Sequence, residues 1–230
     1  MSLISNIKIR IKLLLRAIKD LLNGHYFYFS KKRRNINFAY KLRLNQDIKP
    51  SATFENKHFN LSLASKRINK YTLMPGEIFS FWRVVGNPNK DFKKSRSIIG
   101  GEVSEDSGGG LCQVSGLIYY GSLKGGLEIL ERYNHSLDLY TEDTRFTPLG
   151  TDATVVYGYK DLRIKNPYTF PIKFNIKVHA NSIDLELLST ENITEQKLKI
   201  EQKCENNRIL VDVYNSNNQI LNHSIYQKLE

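Results

Sequence analysis

The spacing of apolar residues changes along the chain. Near the N terminus Ile7, Ile11, Leu14, Leu15, Ile18, Leu21 and Leu22 recur three and four residues apart, with Lys8, Lys12, Arg16 and Lys19 between them. This predicts a basic amphipathic helix ending at Asn23-Gly24. Phe59, Leu63 and Ile68 predict a short helix over 59–69, and Pro75-Gly76 predicts a turn into a strand running through Phe79, Phe81 and Val84. Leu111, Val114, Leu117 and Ile118 again recur at helical spacing, up to Gly125-Gly126. Beyond residue 132 the period falls to two. Ile172, Phe174, Ile176 and Val178 alternate with polar residues, and "IDLELL" continues in phase after Asn181-Ser182, so 171–188 read as a hairpin. "TDATVVYGY" and "DLRIK" read as strands, and "RILVDVY" and "ILNHSIY" as a second hairpin across "NSNNQ". The predicted fold class is α+β, with short helices in the first half packed on an antiparallel, hairpin-rich sheet in the second.

Charge divides the chain in the same direction. The formal net charge is +11, and residues 1–50 hold 12 Lys and Arg against Asp20 and Asp47, whereas the other 180 residues hold 22 against 21. The division is therefore a basic leader, 1–50, and a single neutral body, 51–230. A neutral body without RRM, KH or helix-turn-helix patterns makes nucleic acid an unexpected partner. The leader helix, the aromatic "HYFYF" and the basic "KKRR" suit peripheral association with an anionic membrane through residues 1–34. A helix docked on its own domain with a solvated outer face accounts for the same pattern. The longest uncharged apolar run here is Leu13–Leu15, too short for a membrane span or a secretory signal. The expected location is the cytoplasm or the cytoplasmic face of the membrane.

Two cysteines, Cys112 and Cys204, allow at most one disulfide, and neither they nor the five histidines have zinc-site spacing. No metal or cofactor is expected. "EDSGGGLCQVSG" places three glycines before Cys112 at the start of the helix predicted from 111. Glycines are costly to order, so such a run marks a required geometry. Helix-start N–H groups and the positive end of the dipole favour a thiolate there and can hold an oxyanion. Gly109, Gly110 and Gln113 are candidate oxyanion or substrate groups. Ser115 and Tyr119 lie one and two turns on, and "ERYNHS" offers His135 as a base beside Glu131 and Arg132. Arg132 suits either a substrate carboxylate or an ion pair with Glu131 or Asp161. A small, buried, unreactive cysteine is the alternative at Cys112.

"MPGEIFSFWRVVG", "GGGLCQVSGLIYYGSLKGGLEILERYNHS" and "TDATVVYGYKDLRIKNPYTFPI", followed by the apolar alternation, resemble the VanW family over about residues 57–190. That family is named for an accessory protein of glycopeptide (vancomycin) resistance clusters. The resemblance implies a cell-wall connection and an L,D-transpeptidase type of chemistry. In it a cysteine attacks the peptide bond between meso-diaminopimelate and D-Ala, and the acyl group passes to a neighbouring stem peptide. Carried over by motif, Cys112 is the nucleophile, His135 the base, and Asp152 either orients His135 or grips a substrate ammonium. The implied partner is a peptidoglycan stem peptide, or its precursor for a chain without a secretion signal. A module that binds the precursor, or a resistance-complex protein, without catalysis is the other class of function.

Overall fold

The computed structural model describes residues 3–33, 36–99, 102–138, 145 and 147–228. Met1, Ser2 and Arg34, at the ends of the expected membrane segment, lie outside the described residues. Helix α1 (Leu3–Leu22) and a 3₁₀ turn (His25–Tyr28) lead through β1 (Lys31–Lys32) to β2 (Tyr40–Asp47). Helix α2 (Phe54–Ile68) starts more than a turn before the predicted boundary, with Phe54 packed on the same core as Leu61, Ala64 and Ile68. Strands β3 (Tyr71–Thr72) and β4 (Ile78–Ser80) follow. The strand predicted through Phe81 and Val84 stops at Ser80, and Phe81–Val85 form helix α3 instead. The Ser80 hydroxyl accepts from the Arg83 N–H at 3.4 Å, and Asp161 accepts from the Trp82 N–H at 3.1 Å. Both satisfy donors that a helix start leaves open. Phe81, Val84 and Val85, at i, i+3 and i+4, then turn into the core.

Helix α4 (Pro88–Asp91) precedes the antiparallel hairpin β5 (Lys94–Ile99) and β6 (Glu102–Ser107). Helix α5 (Leu111–Lys124) follows. Strands β7 (Glu128–Glu131), β8 (Leu137–Asp138), β9 (Arg163–Lys165), β10 (Ile172–Val178) and β11 (Ser182–Ser189) come next. The chain ends on β12 (Lys199–Glu205), β13 (Arg208–Tyr214) and β14 (Ile220–Lys228). The class is α+β, helices mostly first and antiparallel strands after, and both predicted hairpins form.

Three sheets organise the body. The hairpin β10–β11 takes β2 as its third strand, with Leu185 opposite Leu44 and Leu187 opposite Leu42. A strand from the basic N-terminal segment thus completes a sheet of the body. The second sheet is β4–β9–β7, and the third is β12–β13–β14 with β8 added in parallel. Helices α2 and α5 cover the first sheet. Gly121 on α5 and Gly125 at its C-terminal cap, one turn apart, let the helix approach closely: a Cβ at either would lie 2.5 or 2.4 Å from a methyl of Leu185 or Leu187. Between helices and sheets lies one apolar core, including Leu61, Phe79, Leu117, Ile164, Phe174 and Leu185.

"TDATVVYGY" is not a strand. Residues 151–155 belong to no strand ladder, and Val156 bridges Lys160 across a tight turn. Backbone groups of a buried segment must find partners, and here most of the partners are side chains. Ser115 Oγ donates to the Ala153 carbonyl at 2.7 Å, Arg132 Nε donates to the Asp152 carbonyl at 2.8 Å, and the Thr154 N–H donates to the Tyr133 carbonyl at 2.8 Å. Sequence alternation alone cannot distinguish such a segment from a strand.

Candidate active site

The glycine loop before α5 is pressed between α2 and β5. A Cβ on Gly109 would stand 2.3 Å from the Ser95 carbonyl oxygen, so no side chain fits there. Asn60, fully buried on α2, donates to the Gly109 carbonyl at 3.1 Å and the Lys93 carbonyl at 2.9 Å. Gly110, at φ 94°, turns the chain into α5, a left-handed conformation that glycine tolerates. The turn leaves Cys112 as the second residue of α5. Among the described residues no backbone carbonyl accepts from its N–H. The Cys112 sulfur lies 3.6 Å from Thr154 Oγ1 and 3.9 Å from the Val155 carbonyl oxygen.

The structure brings Cys112, His135 and Asp152 together. His135 lies close enough to Cys112 for each to shift the other's ionisation, and its Nδ1 meets Asp152 Oδ2 at 2.6 Å. The same carboxylate oxygen accepts from the His135 backbone N–H at 2.8 Å. With Nδ1 committed, Nε2 is the ring nitrogen left for the thiol. Asp152 is held in turn by Arg132 Nη2 at 2.9 Å and by the Tyr226 hydroxyl. Asn134 ties this loop to β14 through the Ile225 carbonyl at 2.8 Å.

Charges follow from these contacts. Burial resists ionisation of Asp152, yet His135, Arg132 and Tyr226 outweigh it and hold the carboxyl down at about 2. Burial also resists charge on His135, but the bonds to Asp152 and Cys112 raise it to about 10. Burial pushes the Cys112 thiol up, and His135, the Val155 backbone and Thr154 pull it further down, leaving it below the ordinary thiol range. A thiolate facing an imidazolium is therefore the favoured state of the pair. A thiol, an imidazole and a carboxylate placed in this order are the groups that attack on a carbonyl can use.

The other predicted residues are placed as follows. Arg132 pairs with Asp152 rather than with Glu131 or Asp161, and its side chain is 7% exposed. Its other bonds go to Ser224, Tyr226 and the Gly150 and Asp152 carbonyls, under the Tyr119 ring. Its donors thus face inward and fix Asp152. Ser115 is fully buried and anchors the 151–155 segment. The Gln113 amide donates to the Asp47 carbonyl at 2.8 Å. Four contributors carried no local signal: Asn60, Thr154, Tyr226 and Ser224. Asn60 is 52 residues, and Tyr226 114 residues, from Cys112 in sequence. Lys57 also joins the site's rim, its side-chain stem against Gly110. Burial, with repulsion from Lys49 and Arg96, pushes its ammonium down to about 8.

The family model described as VanW like protein matches residues 56–188. An uncharacterized protein of Bacillus subtilis (strain 168), YoaR, is 37% identical over 148 residues, 64% of this chain and 47% of that protein. The vancomycin B-type resistance protein VanW of Enterococcus faecalis (strain ATCC 700802 / V583) is 40% identical over 114 residues, 49% of this chain and 42% of that protein. The chain thus spans somewhat under half the length of these curated relatives. No solved structure matches it.

Proposed function

The chain belongs to the VanW family, and from that premise we propose that it is a cysteine-dependent acyl-transfer enzyme of L,D-transpeptidase type, acting on peptidoglycan stem peptides or their precursors. One observation carries this: Cys112, at the start of a helix, lies beside His135, whose Nδ1 is hydrogen-bonded to Asp152, and the neighbours of the pair favour a thiolate on one and a proton on the other. The vancomycin-resistance name of the enterococcal relative supports a cell-wall setting.

In the first half-reaction Cys112 Sγ attacks the carbonyl carbon of the donor peptide bond. The Cys112 N–H, at the positive end of α5, takes up charge developing on the carbonyl oxygen. The C–N bond breaks as His135 gives its proton to the departing amine, leaving a thioester on Cys112. In the second half, neutral His135 takes a proton from the acceptor amine, which attacks the thioester and releases the thiolate. Asp152 keeps the ring in one orientation throughout, and Arg132 and Tyr226 keep Asp152 ionised. Lys57, Lys49 and Arg96 give the glycine-loop side a cationic character suited to the carboxylates of such peptides.

Incubation with purified muropeptides, and separately with lipid-linked precursor, followed by intact-mass measurement, tests this. The expected result is an acyl adduct on Cys112 with loss of the leaving amine, absent from Cys112→Ala and His135→Ala variants that remain folded, as a cooperative melting transition shows. Full-strength stem-peptide binding by Cys112→Ser, with no adduct or turnover by wild type, would instead establish a binding module.

A further inference from the structure

Helix α1 carries two opposite stripes. Ile9, Leu13, Arg16 and Asp20, at successive turns, face the body. Ile9 lies against Gly158, and Asp20 is 4% exposed. Both oxygens of Glu131 accept from Arg16 Nη2 at 2.6 Å, and Arg163 Nη2 donates to Asp20 at 3.0 Å. On the other side, Ile7, Ile11, Leu14, Leu15, Ile18 and Leu22 are between 46% and 80% exposed. At roughly 100° per residue they fill an arc of about 100°, centred opposite the docking stripe. Exposed Lys8, Lys12 and Lys19 line one margin of the arc and Arg10 the other. Phe27, just past the helix, is 71% exposed.

A helix made to complete the core would turn this arc inward. Here the ion pairs to Glu131 and Arg163 hold the polar side against the body and direct the apolar side out. We propose that α1 is an interfacial helix that seats the domain on an anionic lipid bilayer, with the arc in the acyl boundary and the flanking cations at the head groups. Charge selects the occupant: a second copy of α1 would bring these cations against like charges, whereas an anionic surface complements them. No described helix is long and apolar enough to cross a membrane, and the lying orientation requires none.

The seat adjoins the site. Glu131, which takes Arg16, immediately precedes Arg132, which fixes Asp152. The segment from Val155, at the Cys112 sulfur, reaches Gly158, at Ile9, three residues later. Cys112 therefore works beside the lipid surface, whatever reaction it serves; the inference does not depend on the acyl-transfer reading.

Flotation of the full chain with phosphatidylcholine vesicles, with and without about a third phosphatidylglycerol, tests it. Expected is a partition coefficient at least about tenfold higher on the anionic vesicles, falling as salt rises from about 0.1 to 0.5 M. The combined Ile11→Glu, Leu15→Glu, Ile18→Glu variant should stay in the vesicle-free fraction while melting as wild type does, since these side chains face solvent. Lys8→Gln, Lys12→Gln, Lys19→Gln should lose the preference for anionic vesicles. Wild type that fails to float with anionic vesicles, or a glutamate variant that floats equally well, overturns the proposal. So does sedimentation showing dimers that the glutamate variant abolishes, without lipid binding, which would assign the face to a second copy.

Discussion

Replacing Asp152 with Asn keeps the shape of the side chain and removes its charge, which makes it the sharpest probe of the relay. The carboxylate accepts from four donors: His135 Nδ1, the His135 N–H, Arg132 Nη2 and the Tyr226 hydroxyl. An amide offers one oxygen, so its NH₂ must face either the two His135 donors or Arg132 and Tyr226. Uncoupling a buried ion pair costs about 3–5 kcal/mol. Asp152 is 22% exposed and Arg132 keeps its carbonyl and Ser224 partners, so about 2–3 kcal/mol is the apt range here. For a chain of this size that lowers Tm by about 4–12 °C. Loss of the adjacent negative charge also lowers the basicity of His135, weakening the imidazolium that holds Cys112 as thiolate. Alkylation of Cys112 by iodoacetamide at pH 7, followed by peptide mapping, should slow about tenfold or more. Wild-type labelling kinetics together with an unshifted melt would refute the relay.

The same pair sets the response to pH. Cys112 lies below the ordinary thiol range and His135 is raised to about 10, so the alkylation rate should rise less steeply between about pH 7 and 9 than that of an unstructured cysteine peptide. For stability, a raised His135 contributes fully below about pH 6.5, and the contribution is lost as pH rises through about 10; a depressed Asp152 contributes above about 3.8, and that is lost as pH falls through about 2. Melting followed across pH should therefore show His135→Ala and wild type converging on the alkaline side, and a persistent gap at pH 11 would contradict the sign. Gly109→Ala should cost about 1–3 kcal/mol, because the obstacle is the Ser95 backbone rather than a side chain that can move aside. Chemical denaturation measures it, and an unchanged midpoint would show that the loop is free to shift.

Much of the fold was legible because its determinants are local. The helix from Leu111 and the 171–188 hairpin carry periods of 3.6 and 2 uninterrupted by competing signals, and glycines mark the turn into and the stop of α5. Other elements resisted for physical reasons. Phe79 and Phe81 alternate as in a strand, and only Ser80 and Asp161, the latter from a distant loop, supply the acceptors that make the segment from Phe81 a helix. "TDATVVYGY" alternates like a strand, but Ser115 and Arg132 take its carbonyls.

The candidate site divides in the same way. Cys112, His135 and Asp152 were marked by motif chemistry, whereas the roles of their neighbours were not. Arg132 suited a substrate carboxylate by sequence, and the structure turns it inward onto Asp152. Gln113, a candidate oxyanion donor, reaches back to Asp47 instead. The sequence by itself determined the family, the periodic elements, the basic amphipathic helix and the reactive residue types, because each depends on neighbours within a few positions. Only the tertiary structure decided which way α1 turns its apolar face, which carboxylate receives Arg132, and that Asn60 and Tyr226 serve the site. Those outcomes depend on which groups meet across dozens of residues of chain and on buried donors and acceptors having to be satisfied there.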